Sequence, residues 1–317
     1  MSTHDHDHDH HHGHDHAHGS GGHSHAPASF GRAFAIGTGI NAGFVAAQVF
    51  FGIMAHSMAL LADAVHNLGD VLGLLIAWGA SALAQRHPTP ARTYGWGRGT
   101  ILASLTNAVV LLFSCGGIAL EAVRRFGDPT PVGGATVIWV AVLGIVINGA
   151  TAMMFARGRK GDLNIKGAYM HMLADAGVSA GVVLAGLVII LTGWHWVDPV
   201  SSLVIVAVIT IGTWGLLRDS VNLAMDAVPE GIDVANVDAA LRALSGVADV
   251  HDLHIWGLST TQTAVTAHLV HDGGAETNLV QAACVEMRTR FGISHATFQV
   301  ETAEHAEICV LRPADVI

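Results

Sequence analysis

Two histidine–aspartate pairs stand out because each lies within a run of residues that is apolar enough to cross a bilayer. The first pair, His66 and Asp70, lies in the run from Ser57 to Ala84. The second pair, His171 and Asp175, lies far downstream in a similar run. The two residues of each pair are four positions apart, so on a helix their side chains share one face.

These four side chains predict one shared metal site. An aspartate at the centre of a membrane helix costs about 2.5–3.5 kcal/mol on insertion scales, so its presence there indicates a function. Two imidazoles and two carboxylates suit a four-coordinate divalent transition metal, most simply zinc. Asp63 lies three residues before His66. The sequence leaves open whether Asp63 supports the site or caps a helix end that faces water.

The composition is typical of a membrane protein that crosses the bilayer several times. The chain has 317 residues, of which 51% are hydrophobic and only 13% are charged. Hydropathy predicts a polytopic α-helical membrane domain with six transmembrane helices, each near the ~20 residues that a bilayer requires. Their approximate limits are 30–55, 57–84, 100–123, 135–156, 168–194 and 197–217.

Basic residues predict the orientation of the chain in the membrane. The loops after the second and fourth spans contain Arg86, Arg92, Arg98, Arg157, Arg159, Lys160 and Lys166. The turns between the first two spans and between the last two contain neither Lys nor Arg. The positive-inside rule therefore places both termini in the cytoplasm. A short chain without a cleavable signal pattern favours a bacterial inner membrane.

The N-terminal segment, residues 1–29, is predicted to be a disordered cytosolic tail because it cannot bury an apolar core. Residues 1–26 contain eleven histidines, interleaved with Asp5, Asp7, Asp9 and Asp15. The irregular spacing favours a metal-collecting tail, although a solubilising arm or an expression tag would look similar. Residues 30–217 then form the predicted membrane domain.

Residues 218–317 are polar enough for a cytosolic α+β domain. The pattern predicts the order α-β-β-α-β, with helices over 233–246 and 277–292 and strands near 247–259, 261–271 and 295–301. Candidate metal ligands in this domain are His251, His254, His268, His271, His295 and Glu301. Histidines on adjacent strands can converge, but isolated strand histidines are more often surface residues. The three cysteines are far apart and predict neither disulfides nor a CxxC site.

Three motifs in this order resemble the cation diffusion facilitator family of zinc-type divalent cation exporters. They read SMALLADAVHNLGD, KGAYMHMLADAGVSAG and VHDLHIWGLS. The resemblance implies that His66, Asp70, His171 and Asp175 form the transport site. It also implies a homodimer, exchange of metal for protons, and a cytosolic dimerisation domain with a metallochaperone-like fold.

The resemblance also implies that the cytosolic domain can hold a binuclear metal site. His251 and His268 match two ligands of that site, and Glu301 stands where the family has an aspartate. Ala283 and Gln299 occupy other ligand positions. The sequence leaves open whether this site is single, weak or absent, and whether His295 or Cys284 compensates for the missing ligands.

The predicted function is zinc efflux by metal/proton antiport with alternating access. Cobalt, nickel or cadmium are alternative substrates because affinity order alone does not exclude them. A membrane metal sensor or storage protein is a further alternative. An enzyme is not predicted, because neither pair has an HExxH motif or a comparable glutamate beside it to act as a general base.

Overall fold

Within the described residues, the chain up to residue 224 forms six long helices. In this computed structural model they are α1 (Arg32–Met54), α2 (Met58–Ala84), α3 (Arg98–Arg125), α4 (Gly134–Phe155), α5 (Leu163–Thr192) and α6 (Val197–Ala224). The structure describes residues 32–84, 86–127, 130–155, 163–271, 273 and 278–312. The predicted histidine-rich tail lies outside these residues.

The helices form a membrane domain by both length and surface character. Within the described chain, α3, α4, α5 and α6 are each long and apolar enough to cross a bilayer. α1 contributes the shorter apolar helix Thr38–Met54. Phe113, Leu191 and Ile211 expose 84%, 80% and 76% of their surface. Exposure of this kind suits a lipid environment and would be unfavourable in water.

Helices α4 and α5 approach each other closely at a pair of glycines. A Cβ atom built on Gly134 would lie 3.1 Å from the carbonyl oxygen of Gly186. A Cβ atom built on Gly186 would lie 3.3 Å from the carbonyl oxygen of Gly134. Small residues let membrane helices pack at this distance, so α4 and α5 form one closely packed pair.

The first turn of α2 is capped by a side chain from α6. Asp198 is 1% exposed, and its Oδ2 accepts a hydrogen bond of 2.6 Å from the backbone N–H of Met58. Its Oδ1 accepts a bond of 2.5 Å from the Ser57 hydroxyl and one of 3.3 Å from the N–H of Ala59. A helix start has N–H groups without intrahelical partners, and this carboxylate satisfies two of them. The cap therefore fixes the start of α2 relative to α6.

The C-terminal part contains a small sheet with helices. Its elements are α7 (Val234–Arg242), β1 (Val247–Gly257), β2 (Thr263–His271), α8 (Leu279–Phe291), β3 (His295–Thr302) and α9 (Ala303–Glu307). The first five follow the predicted α-β-β-α-β order, whereas the short helix α9 was not predicted. Asp233 caps α7, as its Oδ1 accepts a hydrogen bond of 2.9 Å from Ala235.

The strands lie in the order β1-β2-β3, with β1 antiparallel and β3 parallel to β2. Five side chains that are at most 1% exposed form the centre of the core: Val237, Leu241, Leu269, Met287 and Ile293. They come from both longer helices, from β2 and from the turn before β3, so helices and sheet share one apolar core. This arrangement leaves the polar side chains of the strands available for a site.

Two polar contacts join the two parts of the chain at the start of α3. Arg98 and Asp226 form an ion pair of 2.5 Å. The backbone N–H of Thr260 donates a hydrogen bond of 3.0 Å to the hydroxyl of Thr100. The segment after β1 is thereby held against the first turn of α3.

Candidate metal centres

The four residues predicted from the membrane runs meet between α2 and α5. Nε2 of His66 lies 2.9 Å from Oδ1 of Asp175. Nε2 of His171 lies 3.2 Å from Oδ1 of Asp70. Each histidine thus contacts the aspartate of the other helix, and the contacts within one helix are longer, at 4.0 Å for His66–Asp70 and 3.6 Å for His171–Asp175.

The spacing of these donor atoms suits one small cation. A tetrahedral zinc ion with bonds of about 2.0–2.2 Å separates its ligand atoms by about 3.3–3.6 Å. The four nitrogen–oxygen distances, from 2.9 to 4.0 Å, bracket this range, and each aspartate contacts the two histidines through its two different oxygens. Donor atoms of His66, Asp70 and Asp175 lie within 4.8 Å of one another. His171 lies outside this set of three, and its Nε2 contacts both aspartates from one side.

The site is buried on one side and partly open on the other. The side chain of Asp175 is 3% exposed, whereas those of Asp70 and His171 are 30% and 27% exposed. Oδ2 of Asp175 is buried and accepts no hydrogen bond from the described residues. A buried carboxylate is stabilised by a nearby positive charge, which a bound cation or a protonated histidine supplies.

Asp63 belongs to a buried polar network one turn before His66. Its side chain accepts a hydrogen bond of 2.6 Å from the amide of Gln48 and a longer one of 3.4 Å from Ser179. Gln48 in turn accepts a bond of 2.9 Å from Asn67. Asp63 is 1% exposed, so it does not cap a helix end that faces water. The network links α1, α2 and α5 beside the histidine–aspartate set.

A second cluster lies on the small sheet, where three of the six candidate ligands of this domain meet, namely His251, His268 and Glu301. His251 on β1 is the register partner of His268 on β2. Oε1 of Glu301, on β3, lies 3.0 Å from Nδ1 of His268, and its Oε2 lies 3.3 Å from Nε2 of His251. The side chains are 7%, 11% and 6% exposed for His251, His268 and Glu301. The polar cluster is therefore nearly enclosed by protein.

Two residues of this cluster were not predicted from the sequence. The sulfur of Cys309 lies 3.6 Å from Nδ1 of His268. One donor atom from Cys309 and one from each of His251, His268 and Glu301 all lie within 4.8 Å of one another. Asp252 lies 3.5 Å from Nε2 of the same histidine. The suggested substitutes lie elsewhere: the ring of His295 contacts Tyr94, and Cys284 is on α8. The only sequence feature that links Cys309 to the cluster is its short distance along the chain from Glu301. This closeness brings the thiol to the cluster only because the intervening helix α9 reverses the direction of the chain.

Gln299 occupies a ligand position of the family but has a different role here. Its amide donates a hydrogen bond of 2.7 Å to Oε1 of Glu301. A carboxylate that accepts such a bond is held in one orientation. Gln299 therefore orients Glu301 toward the two histidines.

A helical membrane domain with a buried His–Asp set, followed by a cytosolic domain with a small sheet, defines a metal-ion carrier of the membrane. The sequence comparisons agree. The cation efflux transmembrane domain matches residues 35–223, and the cation efflux protein cytoplasmic domain matches residues 229–303. The chain belongs to the cation efflux family, which is also known as the cation diffusion facilitator family.

Relatives with known names cover most of the chain. The metal cation efflux system protein CzcD of Cupriavidus metallidurans is 36% identical over 87% of this chain and 88% of its own length. The cadmium, cobalt and zinc/H(+)-K(+) antiporter of Bacillus subtilis is 32% identical over 83% and 86%. The zinc transporter ZitB of Escherichia coli is 35% identical over 83% and 85%.

One solved structure is similar to part of the chain. It is the metal-bound C-terminal domain of the CzcD transporter from C. metallidurans, with 33% sequence identity. The match covers 22% of this chain and 99% of that domain, with a TM-score of 0.21.

Proposed function

We propose that this metal cation efflux transporter exports zinc by metal/proton antiport, with His66, Asp70, His171 and Asp175 as the transport site. The observation that supports this most is the crosswise contact between the two pairs, 2.9 Å and 3.2 Å, across two membrane helices. Such a site exists only while α2 and α5 are together. A change in their relative position would therefore release the ion.

The ligand set favours zinc among the divalent metals. Imidazole nitrogens with carboxylate oxygens in a four-coordinate arrangement suit zinc, while cobalt, nickel and cadmium remain compatible. The names of the relatives agree with this ligand chemistry, since they include zinc, cadmium and cobalt. We therefore expect zinc to be the main substrate and cadmium and cobalt to compete with it.

Protons provide the counter-ion in this proposal. Histidine and aspartate bind a metal only when they are deprotonated, so protons and metal compete for the same atoms. The His66–Asp175 contact of 2.9 Å is a place where a proton can lie between the two groups when no metal is bound. Protons entering from outside would then displace the metal, and the protonated site would return inward.

The membrane arrangement follows the sequence prediction. α1 to α6 would provide six crossings within residues 30–217, with residues 1–29 and the 218–317 domain in the cytoplasm of a bacterial inner membrane. Two copies of the chain would form a homodimer through the cytoplasmic domain, which matches a family domain involved in dimerisation. Alternating access would move α2 and α5 with their bundle against the other helices.

The cytosolic cluster of His251, His268 and Glu301 would bind a further divalent ion. These donors are enclosed by the sheet and are separated from the membrane site by sequence and by domain. Binding there would add stability to the cytoplasmic domain without carrying the ion across the membrane.

Metal flux in proteoliposomes with an imposed pH gradient tests the transport proposal. Zinc uptake that requires an opposing proton gradient, and that collapses in both His66→Ala and His171→Ala, would support it. His305→Ala, an exposed histidine outside the membrane helices, is the matched control and should keep wild-type flux. Gradient-independent flux, or wild-type flux in both site variants, would contradict the proposal.

Deletion of residues 1–26 separates the transporter from a sensor or storage protein. A transporter whose site lies between α2 and α5 should lose little flux at saturating zinc without the tail. A sensor or storage protein that depends on the histidine-rich segment would lose its function. The measurement is zinc flux of the deletion and full-length proteins at equal protein content.

A further inference from the structure

Cys309 lies at the open edge of the cytosolic cluster, next to two histidines and a carboxylate. We propose that Cys309 is the fourth ligand of this site, and that the His251, His268, Glu301 and Cys309 set takes a soft divalent cation, zinc or cadmium. The inference rests on the cytosolic site proposed above and extends it. It is independent of transport through the membrane site.

The distances suit a mixed nitrogen, oxygen and sulfur site. Nδ1 of His268 lies 3.0 Å from Oε1 of Glu301 and 3.3 Å from Nε2 of His251. The sulfur of Cys309 is farther, 3.6 Å from Nδ1 of His268. A tetrahedral zinc with bonds of about 2.3 Å to sulfur and about 2.0 Å to nitrogen separates those two atoms by about 3.5 Å. The observed distance of 3.6 Å between the Cys309 sulfur and Nδ1 of His268 is close to this value, so both atoms could bind the same zinc ion.

The segment that carries Cys309 is held on both sides. Before it, the hydroxyl of Thr302 caps α9 by accepting a hydrogen bond of 3.3 Å from the N–H of His305, and Ala306 is fully buried. After it, Arg312 forms an ion pair of 3.2 Å with Asp249 of β1. The thiol is therefore kept beside His268 by contacts of its own segment.

Asp252 and Gln299 position the other ligands. Oδ2 of Asp252 lies 3.5 Å from Nε2 of His268, on the opposite side of the ring from the site, and Oδ1 of Asp252 contacts Nε2 of His254 at 2.9 Å. A carboxylate behind the ring in this way orients a ligand histidine so that Nδ1 faces the site. Gln299 donates to Oε1 of Glu301. Oε2 of the same glutamate is buried and accepts no hydrogen bond within the described part of the chain. A buried carboxylate oxygen in this position is the feature that a bound cation would satisfy.

The charge of the set also favours a divalent cation. Two neutral imidazoles, one carboxylate and one thiolate carry two negative charges, which a divalent ion neutralises. Thiolate is a soft ligand, so it selects zinc and cadmium over magnesium, calcium or manganese. Because the donors are largely enclosed by protein, water screens the attraction between their negative charges and a bound cation only weakly, and that attraction is stronger than at an exposed site.

Cobalt(II) substitution in the detergent-solubilised full chain tests the sulfur ligand directly. Cobalt bound to a thiolate gives a charge-transfer band in the near ultraviolet, which cobalt bound only to nitrogen and oxygen lacks. The wild-type protein should show this band, and Cys309→Ser and Cys309→Ala should lose it. Cys115→Ser and Cys284→Ser are the matched controls and should retain it.

Asp252→Asn tests the positioning role of that residue. It should keep the thiolate band but lower cobalt affinity at this site by about 10–100-fold, as is usual for outer hydrogen-bond partners of a metal ligand. An unchanged affinity would show that Asp252 does not orient His268.

Alkylation of the wild-type protein provides a second test that needs no cysteine variant. Bound cadmium should protect Cys309 from a maleimide reagent, and His268→Ala should abolish the protection. Asp70→Ala in the membrane site should leave the protection by cadmium intact.

Two results would overturn Cys309 as a ligand. One is protection from alkylation without a cobalt–thiolate band, and the other is a cobalt–thiolate band that survives in both Cys309 variants. If His251→Ala and His268→Ala leave cobalt binding unchanged, the cytosolic site itself fails, whereas zinc flux in proteoliposomes decides the transport proposal separately.

Discussion

His66 lies closer to Asp175 on the neighbouring helix, at 2.9 Å, than to Asp70 on its own helix, at 4.0 Å. The spacing of four residues places His66 and Asp70 on one face of α2, but the shortest contact of the histidine crosses to α5. The same is true of His171, which lies 3.2 Å from Asp70 and 3.6 Å from Asp175. Histidine and aspartate side chains from the two helices therefore alternate around the proposed site. Separation of α2 from α5 would leave one histidine–aspartate pair on each helix.

Removal of either aspartate should stop transport without preventing insertion or dimer formation. We expect Asp70→Ala and Asp175→Ala each to reduce zinc flux below about a tenth of the wild-type rate, because one of four ligands and one negative charge are lost. Flux in proteoliposomes and size-exclusion chromatography measure the two properties. Asp219→Asn, at an exposed ion pair near the end of α6, should leave flux unchanged. Wild-type flux in either alanine variant would refute the site.

The cap between α6 and α2 gives a prediction about stability. Asp198→Ala leaves the N–H groups of Met58 and Ala59 without their buried acceptor, which should cost about 1–3 kcal/mol of unfolding free energy. Ser57→Ala should cost about 0.5–2 kcal/mol. Ser201→Ala is the control, because that hydroxyl donates only to Val197 within α6. Thermal unfolding in detergent is the measurement, and equal unfolding temperatures for all three variants would contradict the cap.

Close packing of α4 and α5 predicts a marked difference between two glycines on one helix. A methyl group at Gly186 would lie 2.8 Å from Cγ1 of Ile138 and 3.3 Å from the carbonyl oxygen of Gly134. Gly186→Ala should therefore destabilise the protein by about 1–3 kcal/mol. In Gly181→Ala the new methyl group meets no atom of the described residues within 4 Å, so the substitution should be neutral or slightly stabilising. Unfolding temperatures compare the two, and a neutral Gly186→Ala would show that the helices separate readily.

The six predicted spans coincide with helices, of which α3 to α6 are each long and apolar enough to cross a bilayer in the described chain, but some helix ends differ from the predicted limits. α2 begins at Met58, one residue after the predicted start, because Ser57 ends the preceding turn and joins the cap. α6 continues to Ala224, beyond the predicted limit at Leu217. Hydropathy detects where a bilayer ends, whereas a helix continues as long as its backbone hydrogen bonds do. Prediction of the helix end therefore needs more than the apolar run.

The proposed metal ligands differ in how far the sequence can predict them. His66 and Asp70 were predictable because four-residue spacing on a helix is a local property. His251 and His268 needed the pairing of β1 with β2, which the strand pattern and the family resemblance supplied. Cys309 was missed because its contact depends on a short helix after the last strand, which reverses the chain and has no strong periodic signal.

The ion pair between Arg242 and Asp249 should make the cytoplasmic domain sensitive to acid. A hydrogen bond of 2.5 Å donated by Arg242 lowers the pKa of Asp249 from its ordinary value of 3.8. The folded protein therefore binds this proton less readily than the unfolded chain. The resulting stabilisation is present above pH 3.8 and is lost as the pH falls through the lowered pKa.

Asp249→Asn should lower the free energy of unfolding at neutral pH but not at a pH where Asp249 is already protonated. Because the pair is largely exposed to solvent, we expect a loss of about 0.2–1 kcal/mol at pH 7. The difference from wild type should begin to shrink as the pH falls below 3.8 and should vanish below the lowered pKa of Asp249, where the wild-type carboxylate is protonated in the folded protein as well. Unfolding of the full chain in detergent across this pH range measures the difference, with the exposed Glu304→Gln as the control. A constant difference between wild type and Asp249→Asn at every pH would mean that the aspartate stabilises the strand through its hydrogen bond to the backbone of Val250, independently of its charge.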